Sequence, residues 1–250
     1  MEKKDHYLKQ AIETGLMDIV MDQAGEHTIS ISRLVEDFDI PLPYAQAIYD
    51  ELIHRGLIQH SYGLRIILLD KNPKMIEAWE QEFKGVDDVE VVQSDLIRYL
   101  DLNHVDALTS PANGFGYMNG GFDLAITKYF GQDLQDAVLD YIRDHFYGEQ
   151  PVGTSFCIDI PHHPMKLIHT PTMRLPSSIE GEDWIVYQCM RTTLMCALKQ
   201  GIKSIIIPAF GGATGGLDYR IIAKRMKEGY VQIKKAKDGD PSLTKEIFSC

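Results

Sequence analysis

Cysteine is scarce in this chain, and the four present (Cys157, Cys189, Cys196 and Cys250) show no Cys-x-x-Cys pair. That excludes a disulfide framework and leaves reduced thiols as the expected state. Long apolar runs are missing too: no stretch approaches the roughly 20 residues that a membrane-spanning helix needs. The opening Met1-Glu2-Lys3-Lys4-Asp5-His6 has no apolar secretion signal, so a cytoplasmic location and no membrane partner are expected. Cations are in deficit. Lys and Arg number 25 against 36 Asp and Glu, a net charge of −11. Broad binding to a nucleic-acid backbone needs clustered Lys and Arg and is not expected here. One bound diphosphate remains compatible, because backbone N–H groups can hold an anion without a side-chain cation. Internal repeats are absent, and the polar tail beyond Lys234 is expected to be mobile.

What is present suits a core-forming chain: 44% hydrophobic and 24% charged residues over 250 positions, enough for a medium domain plus a small one. Residues 1–62 read as a helical unit. Leu8, Ala11, Ile12, Leu16, Ile19 and Val20 follow a helical period; Ser30 or Ser32 could cap a second helix through Leu34, Val35 and Phe38. Pro41 and Pro43 bracket the start of a third helix, with Ala45, Ile48, Leu52 and Ile53 on its apolar face and Gly56 at its end. A short strand over 57–60 completes a pattern that resembles a winged helix-turn-helix. Its charges oppose DNA reading: Asp50 and Glu51 face a single Arg55 on the helix that would enter the groove. Duplex DNA is therefore not an expected partner, and residues 1–62 are expected to serve a protein partner or self-association.

From residue 63 the pattern alternates. Strands are expected over 64–69, 89–92, 105–108, 154–158, 165–169, 204–207 and 230–233. Helices are expected over 73–83, 122–130, 134–146, 184–199 and 219–227, with a turn and short helix over 95–100. Strands interleaved with helices imply an α/β sheet covered on both faces, so the domains are set at 1–62 and 63–250.

Two loops carry the chemistry. Thr109-Ser110-Pro111-Ala112-Asn113 leaves a short apolar strand and runs through Asn119-Gly120-Gly121-Phe122-Asp123 into a helix. Ile207-Pro208-Ala209-Phe210-Gly211-Gly212-Ala213-Thr214-Gly215-Gly216 leaves a second, downstream strand. Glycines there let a ligand approach the backbone, and a helix start presents free N–H groups to an anion. Two such loops at strand C-termini suggest a phosphate-bearing nucleotide between them.

Read together, these segments resemble the macrodomain family, which binds ADP-ribose and related nucleotides. The family's Asn-Ala-Ala-Asn strand end corresponds to Ser110-Pro111-Ala112-Asn113, its Gly-Asp-Ile to Ser94-Asp95-Leu96, and its Ile-His-Thr strand to Ile168-His169-Thr170. Its second loop corresponds to 211–216 in a variant order. Ser110 stands where the family has its first Asn. The resemblance covers roughly residues 64–233 and implies a three-layer α/β/α macrodomain with a mixed central sheet, preceded by the small winged-helix-like domain.

By the same resemblance, Asp123 matches a proposed catalytic acid/base of macrodomains that remove ADP-ribose from proteins. Asn113 matches a residue holding a ribose hydroxyl or a water, and Asp95 the acceptor from the adenine amino group. Gly120, Gly121, Phe122, Gly211, Gly212, Ala213, Thr214, Gly215 and Gly216 would surround the diphosphate. Each has a plainer reading: a carboxylate at a helix start (Asp123, Asp95), an Asn satisfying its own turn, glycines serving a turn. The implied activity is hydrolysis of an ADP-ribosyl linkage, on ADP-ribose derivatives or ADP-ribosylated protein. The alternative is a non-catalytic reader that recruits a partner through residues 1–62. No cofactor and no metal are expected. Cys157, Asp159, His162 and His163 have ligand chemistry, but their spacing fits no closed zinc site. His169 reads as a packed strand histidine, and Arg174 as a residue at the cleft rim.

Overall fold

The computed structural model describes residues 63–237 and, before them, 15, 39–41, 44, 45, 47–49 and 51. The chain divides into two compact units: residues 1–64 with 85–88, and residues 65–84 with 89–250. Of the first unit, residues 44, 45, 47–49 and 51 are helical, and Ala45 and Ile48 are fully buried, as their apolar periodicity implies. The winged-helix arrangement and the tail past 237 lie outside the described residues.

The second unit is built on a six-stranded sheet. Its strands are β1 (Arg65–Asp70), β2 (Val89–Gln93), β3 (Ala107–Ser110), β4 (Phe156–Asp159), β5 (Lys166–His169) and β6 (Ser204–Ile207). They lie in the order β2-β1-β6-β3-β5-β4. All pairings are parallel except β4 against β5. Parallel strands need coverage on both faces, which is why β1, β3 and β6 read as nearly unbroken apolar runs. The helices are α1 (Pro73–Glu82), α2 (Leu96–Leu102), α3 (Gly121–Phe130), α4 (Gln132–Phe146), α5 (Trp184–Lys199) and α6 (Tyr219–Lys237). Helices α2, α3 and α4 bury Tyr99, Ile126, Leu134, Val138 and Ile142 against Ile67, Leu69, Leu108, Leu167 and Ile206. Helices α1, α5 and α6 pack on one another, with the Trp79 indole N–H donating to Met226 Sδ at 3.4 Å. The result is the expected three-layer α/β/α unit with a mixed sheet.

Local signals act where expected. Asn72 caps α1, accepting from the Lys74 N–H at 3.0 Å, with Pro73 at the first helical position. On the edge strand, Asp159 pairs with Lys166, and charge at a sheet edge discourages pairing with another chain.

One expectation is overturned. The predicted helix over 219–227 and strand over 230–233 form a single helix, α6. Gly229 lies between the two predicted elements. It is where α6 meets α5: a Cβ there would lie 2.7 Å from the Tyr187 carbonyl oxygen and 3.0 Å from Met190 Cβ. The buried positions Ile222, Met226, Tyr230 and Ile233 step by three and four, a helical period that continues through the glycine.

Gly229→Ala supplies the test. In an exposed helix Ala is favoured over Gly by about 1 kcal/mol. Here the clash with backbone should reverse the sign, giving a net loss of about 1–3 kcal/mol and a lower Tm by thermal denaturation. A stabilised variant would mean that α5 and α6 are not in close contact at this point.

Candidate functional site

The first loop is held by continuing the β3–β5 ladder beyond both strands. Thr170 N–H donates to Ser110 O at 2.9 Å and Thr172 N–H to Ala112 O at 3.3 Å. Asn113 and Met173 then form an isolated parallel bridge. The chain turns at Gly116, where φ is +80°, and Gly116 N–H donates to Asn113 O at 2.9 Å. The Asn113 amide closes this turn, accepting from Phe115 N–H at 3.1 Å and donating to Tyr117 O at 2.9 Å. It lines the cleft, but its amide serves the loop. Gly120 then opens α3 with no side-chain cap. The N–H groups of Gly121 and Phe122 donate to no acceptor among the described residues.

The second loop folds on itself. A Cβ on Gly215 would lie 2.5 Å from Gly211 O, and Gly211 has φ +78°, so both glycines are required by the loop's own geometry. Leu217 N–H donates to Gly211 O at 3.3 Å and Ile179 N–H to Gly215 O at 3.0 Å. Between these anchors, the amides of Gly212, Ala213 and Thr214 meet no acceptor among the described residues.

A cleft of about 530 Å3 separates the two loops. Asp95, Asn113, Gly120, Gly121, Phe122, Asp123, Gly211, Gly212, Ala213, Thr214 and Gly215 all line it. Gly216 does not; with φ +70° and its N–H on Ala213 O at 3.2 Å, it turns the chain behind the loop. Asp95 lines the cleft and caps α2, its Oδ1 accepting from Ile97 N–H at 3.0 Å. Both of its readings hold together. Asp70, Lys71, Tyr117 and Met173 also line the cleft and were not singled out in the sequence, because no glycine-rich or carboxylate pattern marks them. Lys71 is the single Lys or Arg among the lining residues.

Asp123 is the chemical centre. It is 8% exposed, and Ser110 Oγ donates to its Oδ1 at 2.6 Å. Burial pushes its carboxyl up from 3.8 to about 7, against a smaller lowering by Ser110. Desolvation disfavours the charged form. A carboxyl in a cleft titrating near neutrality is suited to proton transfer.

Other sequence candidates fall elsewhere. His169 is fully buried, its ring stacked on Phe156 at 5.2 Å and its Nδ1 at 2.5 Å from Gln150 Oε1; burial pushes it down to about 3. Arg174 is not at the cleft: it pairs with Glu149 at 2.7 Å and sits over the Phe115 ring. The half-buried Cys157 thiol contacts Cys196, which lowers its pKa. No group of three or more His, Cys, Asp or Glu among the described residues could hold a metal.

Part of this chain is similar to known proteins. Residues 109–226 match the Macro domain. The matched segment runs from β3 into α6 and includes both glycine loops of the cleft. The similar solved structures are macrodomains. One is the Oceanobacillus iheyensis macrodomain with ADP, 21% identical, covering 51% of this chain and 68% of that one, TM-score 0.46. The macrodomain of Mycobacterium tuberculosis DarG is 23% identical, covering 56% of this chain and 88% of that one, TM-score 0.45. That of Thermus aquaticus DarG is 25% identical, covering 52% and 85%, TM-score 0.43.

The raised Asp123 pKa fixes a sign. Between pH 4 and 7 the folded protein keeps a proton that the unfolded chain, ionising near 3.8, has released. Asp123 therefore lowers stability as pH rises through that window, and the full penalty stands above pH 7. Asp123→Asn should melt several degrees above the wild type at pH 8, with the difference gone below pH 4. Equal melting at pH 8 would show that the carboxyl is not desolvated.

Proposed function

We propose that this cleft binds ADP-ribose or a derivative and hydrolyses an ADP-ribosyl linkage, with Asp123 as the acid/base. The observation that carries the reading is the placing of one buried carboxyl, titrating near 7, on a cleft between two sets of unpaired backbone amides. The amides of Gly121 and Phe122 and those of 212–214 suit a diphosphate, which needs donors rather than a strong cation. Asp95 beyond them suits the amino group of a purine. The distal ribose then falls beside Asp123. As a carboxylate, Asp123 orients a water and takes its proton while the hydroxyl adds to the anomeric carbon; the released proton is then available to the departing side chain. The Macro domain match and the ADP in the Oceanobacillus iheyensis structure support the ligand class. Residues 1–62 supply a partner-binding unit in this reading.

Calorimetry tests the ligand. Gly120 has extended backbone and open space around a would-be Cβ, so Gly120→Val should leave Tm unchanged and weaken ADP-ribose at least tenfold. Unchanged affinity would remove the diphosphate from this position.

Turnover tests the chemistry. On mono-ADP-ribosylated protein, Asp123→Ala should lower kcat about 100-fold or more while ADP-ribose affinity changes little, the signature of an interaction made in the transition state. Wild-type kcat should rise with pH through about 7, following the ionisation of Asp123. Tight ADP-ribose binding without hydrolysis of any ADP-ribosyl linkage would make the protein a reader.

A further inference from the structure

We infer that Ser110 is a positioning residue for Asp123, its hydroxyl fixing which carboxyl oxygen handles the proton at the cleft. The inference rests on the reading of Asp123 as the acid/base. Ser110 ends β3 with its side chain fully buried. Its Oγ lies 2.6 Å from Asp123 Oδ1, within the range of a hydrogen bond to a charged carboxylate. The backbone around it is clamped. Ser110 O accepts from Thr170 N–H, and Ser110 stands in register with His169 of β5, so the hydroxyl presents itself from a rigid strand. With Oδ1 occupied by the Ser110 hydroxyl, Oδ2 is left to take or give the proton.

No ion pair among the described residues competes for the carboxyl. His169, sharing the sheet face with Ser110, is a neutral neighbour. Gln150 uses its amide nitrogen as a donor to Thr154 O, so its Oε1 must accept, and His169 therefore carries its proton on Nδ1. The bare Nε2 has no partner among the described residues, and burial keeps the ring uncharged down to about pH 3. From the other elements, Asp70 at the end of β1, Asp95 at the start of α2 and Lys71 line the same cleft; within α4, Gln135 is uncharged and holds Met118 N–H. Burial raises the Asp123 pKa, and the Ser110 hydroxyl and the Asp123 backbone N–H oppose it; Ser110 is the larger opposing influence and the one that a single side-chain substitution removes.

The experiment follows the Asp123 carboxyl carbon by 13C NMR across pH in the full-length chain, alongside the kcat profile and ADP-ribose calorimetry. In Ser110→Ala the Asp123 midpoint should climb by about one pH unit or more, the scale of one charge-assisted hydrogen bond. The acid limb of kcat should move with it, lowering kcat at pH 7 about fivefold and restoring it by pH 9. ADP-ribose affinity should stay within twofold. Ser110→Thr, which keeps the hydroxyl, should return the midpoint toward the wild-type value. Should Ser110→Ala fail to fold, Ser110→Cys, near in size and a weak donor, should show the same upward shift. An unmoved midpoint in a folded Ala or Cys variant overturns the inference, as does a Thr variant that behaves like Ala. If the wild type hydrolyses nothing while the midpoint shifts as expected, the catalytic reading fails and the Ser110–Asp123 coupling stands.

Discussion

Parallel pairing is the constraint on which the rest depends. Because β2, β1, β6, β3 and β5 run in one direction, their C-terminal ends share an edge, and the loops that leave them converge there. Helix α3 begins at that edge, with the N–H groups of Gly121 and Phe122 unpaired among the described residues. A net charge of −11 is no obstacle to an anionic ligand in such an arrangement, since attraction comes from oriented peptide groups over a few ångströms. Screening by salt leaves so short-ranged an interaction largely intact.

The same edge explains the chemistry of Asp123. A carboxylate at a helix start is ordinarily favoured by the helix dipole, which would hold it ionised. Here burial outweighs that influence, and the hydroxyl of Ser110 offsets burial only in part. Holding this carboxyl near pKa 7 costs the folded state stability at neutral pH. Buried in the adjacent strand, His169 has the opposite slope: its depressed pKa withdraws stability as pH falls below about 6.5. The two groups therefore pull the pH dependence of folding in opposite directions across the same range.

Much of this was legible in the sequence. Strand and helix periods placed every element of the sheet unit within a few residues except the end of α6. That exception is instructive, because Gly229 and a β-prone Tyr-Val-Gln-Ile run imitate a helix stop, while the close approach to α5 that makes the glycine necessary is a tertiary fact. At the site, the two glycine loops and Asp123 were visible from their place after apolar strands. Hidden from sequence was the division of labour among glycines, with Gly211 and Gly215 folding the loop while Gly212 exposes its amide. Hidden too was the commitment of the Asn113 side chain to its own turn. The bond from Ser110 to Asp123 joins residues 13 apart across a strand and a helix, and no local pattern announces it.

The self-contact of Gly215 against Gly211 has a kinetic meaning. A loop that already closes on its own backbone surrenders little conformational entropy when an anion arrives, so encounter need not wait for the site to assemble. For the ligand proposed above, association would then approach the pace set by diffusion and orientation, and differences among ligands would be expressed in how long each stays.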